Sequence, residues 1–190
     1  MPYTFDFQAP DADFSCGIET KRCRGIAKSG NRCKRLVAIG TPLCFQHRKD
    51  IKVKPSSIPD AGKGLFAHNK SKPANEVIFK RGTVITQYGG EKNLTKEDID
   101  DRYGNNTAPY GVKYANNRYE DAACERGVGS LANKGTGNQI NAKLYPNGRG
   151  SIFLKATKNI RNNREILLSY GRQYRLNEPD VEYSTTLGRR

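Results

Sequence analysis

Four residues in the first quarter of the chain could hold a metal ion. Cys23, Cys33, Cys44 and His47 follow one another as Cys-x9-Cys-x10-Cys-x2-His. A Cys-x2-His pair suits a knuckle whose two side chains chelate one ion, and two further thiolates complete a tetrahedral zinc site. The flanking residues are mainly glycine and base, with too little apolar material to fold alone. Metal binding would therefore supply the folding energy of this segment. The plainer alternative is four unrelated residues in a basic loop. Cys16 could substitute as a ligand, and Cys124 stands alone and reads as a small buried apolar residue. Five cysteines in an intracellular-looking chain suggest thiols or metal ligands rather than disulfides.

A second kind of chemistry is offered by tyrosines that follow apolar strands. Arg164-Glu-Ile-Leu-Leu-Ser-Tyr-Gly171 contains the most apolar run of a polar C-terminal third, which suits a short buried strand. It ends in Tyr170 and then a glycine, where the backbone can turn sharply. A phenol held there could orient a reactant or relay a proton; alternatively it is an ordinary half-buried tyrosine closing a core strand. Thr83-Val-Ile-Thr-Gln-Tyr88-Gly-Gly90 alternates like a half-buried strand and also ends in Tyr-Gly. Gly62-Lys63-Gly64 is not a phosphate-binding loop, because Lys63 is followed by glycine rather than Ser or Thr. Nor is it a dinucleotide fingerprint, since no apolar strand precedes it and no helix can follow through His68-Asn-Lys-Ser-Lys-Pro73. It marks a tight backbone approach leading into a strand.

The elements that must position these residues are short. Strand-like runs cover 51–53, 64–68, 83–88, 110–114, 118–121, 141–145, 151–156 and 165–169, with Gly, Asn and Pro between them. One helix is expected over 95–102, with Thr95 as N-cap and Asp98 three residues on. No internal repeat is present. The chain of 190 residues has room for one domain and a small module. Its divisions are expected at 1–15 (a flexible arm), 16–50 (the basic, metal-binding module), 51–175 (the main domain) and 176–190 (a polar tail). No apolar run suits a signal peptide or a membrane span, so a soluble, unexported protein with no membrane partner is expected. The formal charge of +14 points to a polyanionic neighbour. It is concentrated in residues 21–54, where eleven Lys and Arg face the single acid Asp50.

Taken in order, these pieces resemble the SET domain of protein lysine methyltransferases over about residues 51–175. The opening G-x-G before an apolar strand is met by Gly62-Lys-Gly64-Leu-Phe-Ala, and the Y-x-G by Tyr88-Gly-Gly90. The Asp-Ala strand and the Asn-containing segment after it are matched in part by Asp121-Ala122, Gly127, Ser130-Leu-Ala-Asn133 and Asn141. The closing E-E-L-x-x-x-Y-G is met by Arg164-Glu-Ile-Leu-Leu-Ser-Tyr-Gly171. The sequence departs from the pattern where Lys134 replaces a His and Gly135-Thr136 replaces Ser-Cys, and two extra residues precede Asn141. The family's cysteine-rich flanks are absent.

The resemblance implies a mostly β fold with few short helices. It would be a β-clip of small sheets with a knot-like C-terminal segment, here preceded by a small zinc-knuckle-like module. It implies methyl transfer from S-adenosylmethionine to a lysine, with Tyr170 orienting the amine and Tyr88 lining the channel. Lys63, Gly64 and Leu65 would pass along the cofactor, Asn133 and Lys134 would hold its two ends, Tyr170 would lie beside it and Tyr174 would cover the adenine. Tyr88, Tyr110, Tyr114 and Leu168 would form the substrate channel. Leu168 has no hydroxyl to anchor a water, which favours di- or trimethylated product.

A histone or another chromatin-associated basic protein in the nucleus (the host's, if the chain is viral) would be the substrate. The basic 21–54 segment would meet nucleic acid or the nucleosome, and Glu91, Glu97, Asp98, Asp100 and Asp101 would attract a basic tail. Two other readings remain open. The domain could be a catalytically weak or inactive binding module, given Lys134 and Gly135. Or the chain could be a zinc-dependent nucleic-acid- or chromatin-binding protein.

Overall fold

The computed structural model describes residues 6–9, 12–18, 20–38, 43–44, 46–104, 106, 108–147 and 150–170. The strands, in chain order, begin with β1 (Asp6–Gln8), β2 (Ser15–Gly17), β3 (Thr20–Arg22), β4 (Leu36–Ala38), β5 (Ile51–Pro55) and β6 (Lys63–Ala67). They continue with β7 (Val77–Phe79), β8 (Val84–Gln87), β9 (Glu91–Leu94) and, after helix α1 (Lys96–Tyr103), β10 (Gly111–Ala115) and β11 (Arg118–Asp121). Two 3-10 turns, Val128–Leu131 and Gly137–Gln139, lead to β12 (Ala142–Pro146), β13 (Ile152–Ala156) and β14 (Ile160–Arg161). Small antiparallel sheets result: β1-β2, β3-β4, β5-β6, β14-β7, β10-β11-β9 and β12-β13-β8. Mostly β, with one α-helix among the described residues, this is the expected fold class.

Residue pattern explains the elements that matter for the site. In β13 the side chains of Ile152, Leu154 and Ala156 are buried and those between are half-buried, the period of two that an inward-facing strand needs. The central core joins them to Leu65, Ala67, Tyr88, Ala122, Ile160, Ile166 and Leu168. Helix α1 starts one residue later than expected but with the expected cap. The Thr95 hydroxyl accepts from the Asp98 amide, while the Asp98 carboxylate accepts from the Thr95 amide at 2.7 Å. Ile99 and Tyr103 then bury against Leu94 and Ala9 in a second cluster.

Within the segment expected as a flexible arm over 1–15, residues 6–9 and 12–15 are described. β1 pairs with β2, and Phe7 and Phe14 pack on the second cluster, Phe14 edge to face with Tyr103, while Phe7 also meets Tyr110 of the central core edge to face. Three-residue strands are too short to display a period, which is why the sequence concealed them. Residues 1–5, 10 and 11 of that arm, and the expected tail over 176–190, lie outside the described residues.

The expected strand over 165–169 is instead an irregular segment threaded between three others. The Ile166 amide donates to Leu65, the Leu168 amide to Asn133, and the Gly135 amide to Leu168. The amides of Asn141 and Ala142 both donate to Leu167. Isolated bridges (Phe66 to Glu165, Lys134 to Leu168, Ala142 to Leu168) replace a ladder.

Candidate active site and metal centre

The threaded segment delivers Tyr170 to the rim of the central core, where its hydroxyl donates to the Ala132 carbonyl at 2.7 Å. Tyr88, at the end of β8, is buried, and its hydroxyl donates to the Tyr110 carbonyl at 2.9 Å. Tyr110, Tyr114 and Tyr170 all pack against the core cluster that contains Tyr88 and Leu168. Leu168 is 1% exposed. The Tyr114 hydroxyl reaches the Asn93 side chain at 3.3 Å.

On the other side of the threaded segment, β6 and the chain at Asn133 lie together. Asn133 Nδ2 donates to the Lys63 carbonyl at 3.1 Å and to Glu165 at 3.3 Å. Leu65 is fully buried and its carbonyl receives the Ile166 amide. Gly64 is a required glycine, since a Cβ there would stand 2.1 Å from Glu165 Oε1. Lys134 is held by its bridge to Leu168. Among the expected site residues, Lys63, Gly64, Leu65, Asn133 and Lys134 are therefore gathered around residues 165–168. Tyr174 lies outside the described residues.

Sequence reasoning missed the carboxylates that fix these segments. Glu165 accepts from the hydroxyl of Ser56 at 2.7 Å, from the Ser57 amide at 2.7 Å and from the Ser57 hydroxyl. Burial pushes its carboxyl upward, but the donors from Ser57, Ser56 and Asn133 outweigh that and hold it below the usual carboxylate range. Glu120 is fully buried and ties the Gly89 and Gly90 amides (3.0 and 2.8 Å) to the Ile152 amide (3.1 Å). Its burial keeps the carboxyl above the usual range despite those three donors. The signal was present as single acids flanking apolar runs, but their partners are distant in sequence.

Asn141 acts as a side-chain strand. Its Nδ2 donates to the Glu165 carbonyl at 2.8 Å and its Oδ1 accepts from the Leu167 amide at 3.0 Å. The acids expected to attract a basic tail are largely engaged within the chain. Glu91 and Asp121 bind Arg102 at 2.7 and 3.0 Å, Asp98 closes the helix cap, and Asp100 pairs with Lys96.

In the N-terminal module, the ligand atoms of Cys23, Cys33, Cys44 and His47 all lie within 4.8 Å of one another. The Cys33 and Cys44 sulfurs are 3.9 Å apart, and His47 Nδ1 lies 3.3 Å from Cys44 Sγ and 3.6 Å from Cys23 Sγ. Zinc bonds of about 2.3 Å to sulfur and 2.0 Å to nitrogen place ligand atoms roughly 3.5–3.8 Å apart across a tetrahedron, so these residues fit zinc. His47 Nε2 donates to the Ile26 carbonyl at 2.7 Å, which leaves Nδ1 facing the sulfurs with its lone pair. Burial would raise the Cys23 thiol. The Cys44 and Gly25 amides, with the Cys44 and His47 side chains, outweigh it and bring the pKa to about 6, which favours the thiolate a metal needs.

Cys16 is not a ligand and Cys124 is not alone: the two form a disulfide across 108 residues. This corrects the expectation that all five cysteines are thiols or metal ligands. The pairing depends on how the β1-β2 hairpin docks, which spacing alone does not disclose.

These features define a class, and the comparisons agree with it: residues 62–171 match the SET domain family, and the chain belongs to that family. Among solved structures it resembles "ctPRC2 in an autoinhibited conformation bound to S-adenosylmethionine", with a TM-score of 0.50 and 24% identity. The likeness covers 65% of this chain but only 15% of that one, and it supports the fold. A comparison with curated proteins gives no match. Among the described residues no helix is long and apolar enough to cross a membrane.

Proposed function

We propose that the chain transfers methyl groups from S-adenosylmethionine to a lysine side chain of a basic, chromatin-associated protein such as a histone. The observation that carries the reading is Tyr170, fixed by the Ala132 carbonyl at the end of a segment threaded through the core and set against the cluster of Tyr88, Tyr110, Tyr114 and Leu168. The solved relative binds S-adenosylmethionine, which supports the same cofactor here.

The residues fit that group. The turn at Gly62 has a φ of +62 and a Cβ there would meet nothing within 4 Å, so open space adjoins the start of β6 beside Lys63. Asn133 supplies an amide and Lys134 a cation close by, suited to the hydroxyls and carboxylate of such a molecule. Tyr170 lies at the other end of the threaded segment, and Tyr174 follows it in sequence as the residue to cover the adenine. When bound, the cofactor supplies an electrophilic methyl on a sulfonium.

This chain's residues must deliver a neutral amine to it. A free lysine has a pKa of about 10.4. Surroundings such as buried Tyr88 and Leu168 disfavour the ammonium form and exclude water. The Tyr170 hydroxyl, held by its bond to Ala132, orients the amine in line with the methyl. Leu168 offers no hydroxyl to hold a water, so di- or trimethyl-lysine is the expected product.

Zinc in the Cys23, Cys33, Cys44 and His47 cluster would hold the β3-β4 hairpin, and duplex nucleic acid of the nucleosome is the partner proposed for its surface. Arg22, Arg24, Lys28, Arg32, Lys34 and Arg35 are exposed there, and the described part of this hairpin contains no acid. An open groove of about 480 Å³ is lined by Ser29, Asn31, Arg32, Lys34 and Arg35. The division into a module over 16–50 and a catalytic domain over 51–175, and a nuclear or chromatin location, belong to the same reading. Labelled methyl transfer to core histones, nucleosomes and whole lysate tests it: label on a lysine is expected. No label on any protein, with cofactor still bound, would favour a non-catalytic binding module.

A further inference from the structure

We infer that the N-terminal hairpin β1-β2 is a structural wall of the acceptor channel, and that Phe7 and Arg126 position Tyr110 and, through it, the Tyr88 hydroxyl. The inference rests on the methyl-transfer reading and adds to it an element that lies outside the matched residues 62–171.

A closed ring of contacts carries it. Phe7 and Cys16 stand directly opposite each other in the β1-β2 pair, so their side chains share a face. Cys16 is bonded to Cys124. Two residues on, Arg126 is fixed by the carbonyls of Ala122 (3.2 Å) and Ala123 (3.1 Å). Its guanidinium lies over the Tyr110 ring, 4.1 Å from the centroid, and 5.8 Å from that of Phe7. The ring closes where Phe7 meets Tyr110 edge to face, with centroids 5.6 Å apart. The Tyr110 ring is thus held by an arginine and a phenylalanine, and both are anchored by one disulfide.

Tyr110 passes this order on through its backbone. Its carbonyl accepts from the Tyr88 hydroxyl at 2.9 Å and from the Ala122 amide at 3.2 Å. The residue whose ring Phe7 and Arg126 hold thus also carries the acceptor that aims the Tyr88 phenol. Phe7 and Arg126 are positioning residues, acting through Tyr110.

The test compares Phe7→Ala, Phe7→Leu and the double variant Cys16→Ser with Cys124→Ser, using the full chain. A misaligned channel wall should raise KM for a lysine peptide by about tenfold, with the dissociation constant of S-adenosylmethionine by calorimetry unchanged. Phe7→Leu should recover most of the loss, because it restores the apolar bulk beside Tyr110. The double-serine variant should reproduce Phe7→Ala. Amide exchange over 108–126 should quicken by about tenfold in both damaging variants, while 63–67 stay protected.

Unchanged exchange over 108–126 in both variants would overturn the inference, whether or not the protein transfers methyl groups. So would an equal loss of cofactor affinity, which would mark a general defect of folding. If wild-type protein methylates nothing, the proposed function fails and the exchange measurement still decides the positioning role.

Discussion

The Cys/His module and the threaded segment both hold a few reactive atoms in fixed geometry, by opposite means. Around His47 the atoms that converge belong to side chains, three sulfurs and one imidazole nitrogen, with the Gly25 and Cys44 amides donating to the Cys23 sulfur. Around Tyr170 the hold is made by backbone, with the amides and carbonyls of residues 65, 133, 135, 141 and 142 gripping residues 166–168 from several sides. A side-chain site depends on residue identity at four positions. A backbone site depends on the packing of the whole domain, and its damage should spread accordingly.

Metal removal is the largest way to break that contrast. A structural zinc contributes on the order of 10–16 kcal/mol to the folding of such a module. Cys33→Ser combined with Cys44→Ser should take bound metal from about one equivalent to none. Duplex DNA binding should then weaken and lose much of its salt dependence, while amide protection over 63–67 and 152–156 stays as in wild type. Those strands belong to a different apolar cluster from the three cysteines. Loss of protection there would show that the module and the core fold as one.

Glu165 gives the opposite case, a single side chain on which backbone order depends. Replacing it with Ala leaves the Ser56, Ser57 and Asn133 donors without their acceptor and should cost about 3 kcal/mol, spread across the domain in a denaturant unfolding curve. The pH dependence has a definite sign. The folded carboxyl lies below its ordinary value, so its stabilisation is complete above the unfolded pKa of about 4.3 and fades as pH falls through the folded one. Wild type and Glu165→Gln should differ most near neutrality and converge in acid. A gap that widens in acid would contradict the assignment.

The same contrast explains what the sequence disclosed. Cys23, Cys33, Cys44 and His47 were legible because cysteine and histidine are the residue types that zinc takes and Cys44-x2-His47 is a chelating spacing. The helix cap was legible because Thr95 and Asp98 are three residues apart. Leu65, Asn133 and Leu168 could be named from an ordered set of motifs, but their threading could not, because Leu168 meets Asn133 and Lys134 through backbone groups that every residue carries. β7, β9 and β14 escaped because Val77–Phe79, Glu91–Leu94 and Ile160–Arg161 show no alternation of apolar and polar residues. The Cys16–Cys124 bond and the Glu120 cradle were hidden because their partners meet only after the domain closes.

Thr95→Ala is the smallest expected effect. It should cost about 1 kcal/mol and stay local, since the cap lies on the exposed start of α1. A loss well above that, or one accompanied by changed cofactor binding, would mean that α1 is coupled to the threaded segment more tightly than its packing implies.

The central claim is that the threaded segment exists to hold the Tyr170 hydroxyl at a reacting amine. Labelled methyl transfer by wild type and Tyr170→Phe, with cofactor affinity measured in parallel, tests it most directly. Removing the hydroxyl while keeping the ring should lower the transfer rate by about a hundredfold and leave the fold and cofactor affinity intact. Equal rates in the two proteins would contradict the account and remove Tyr170 from the chemistry.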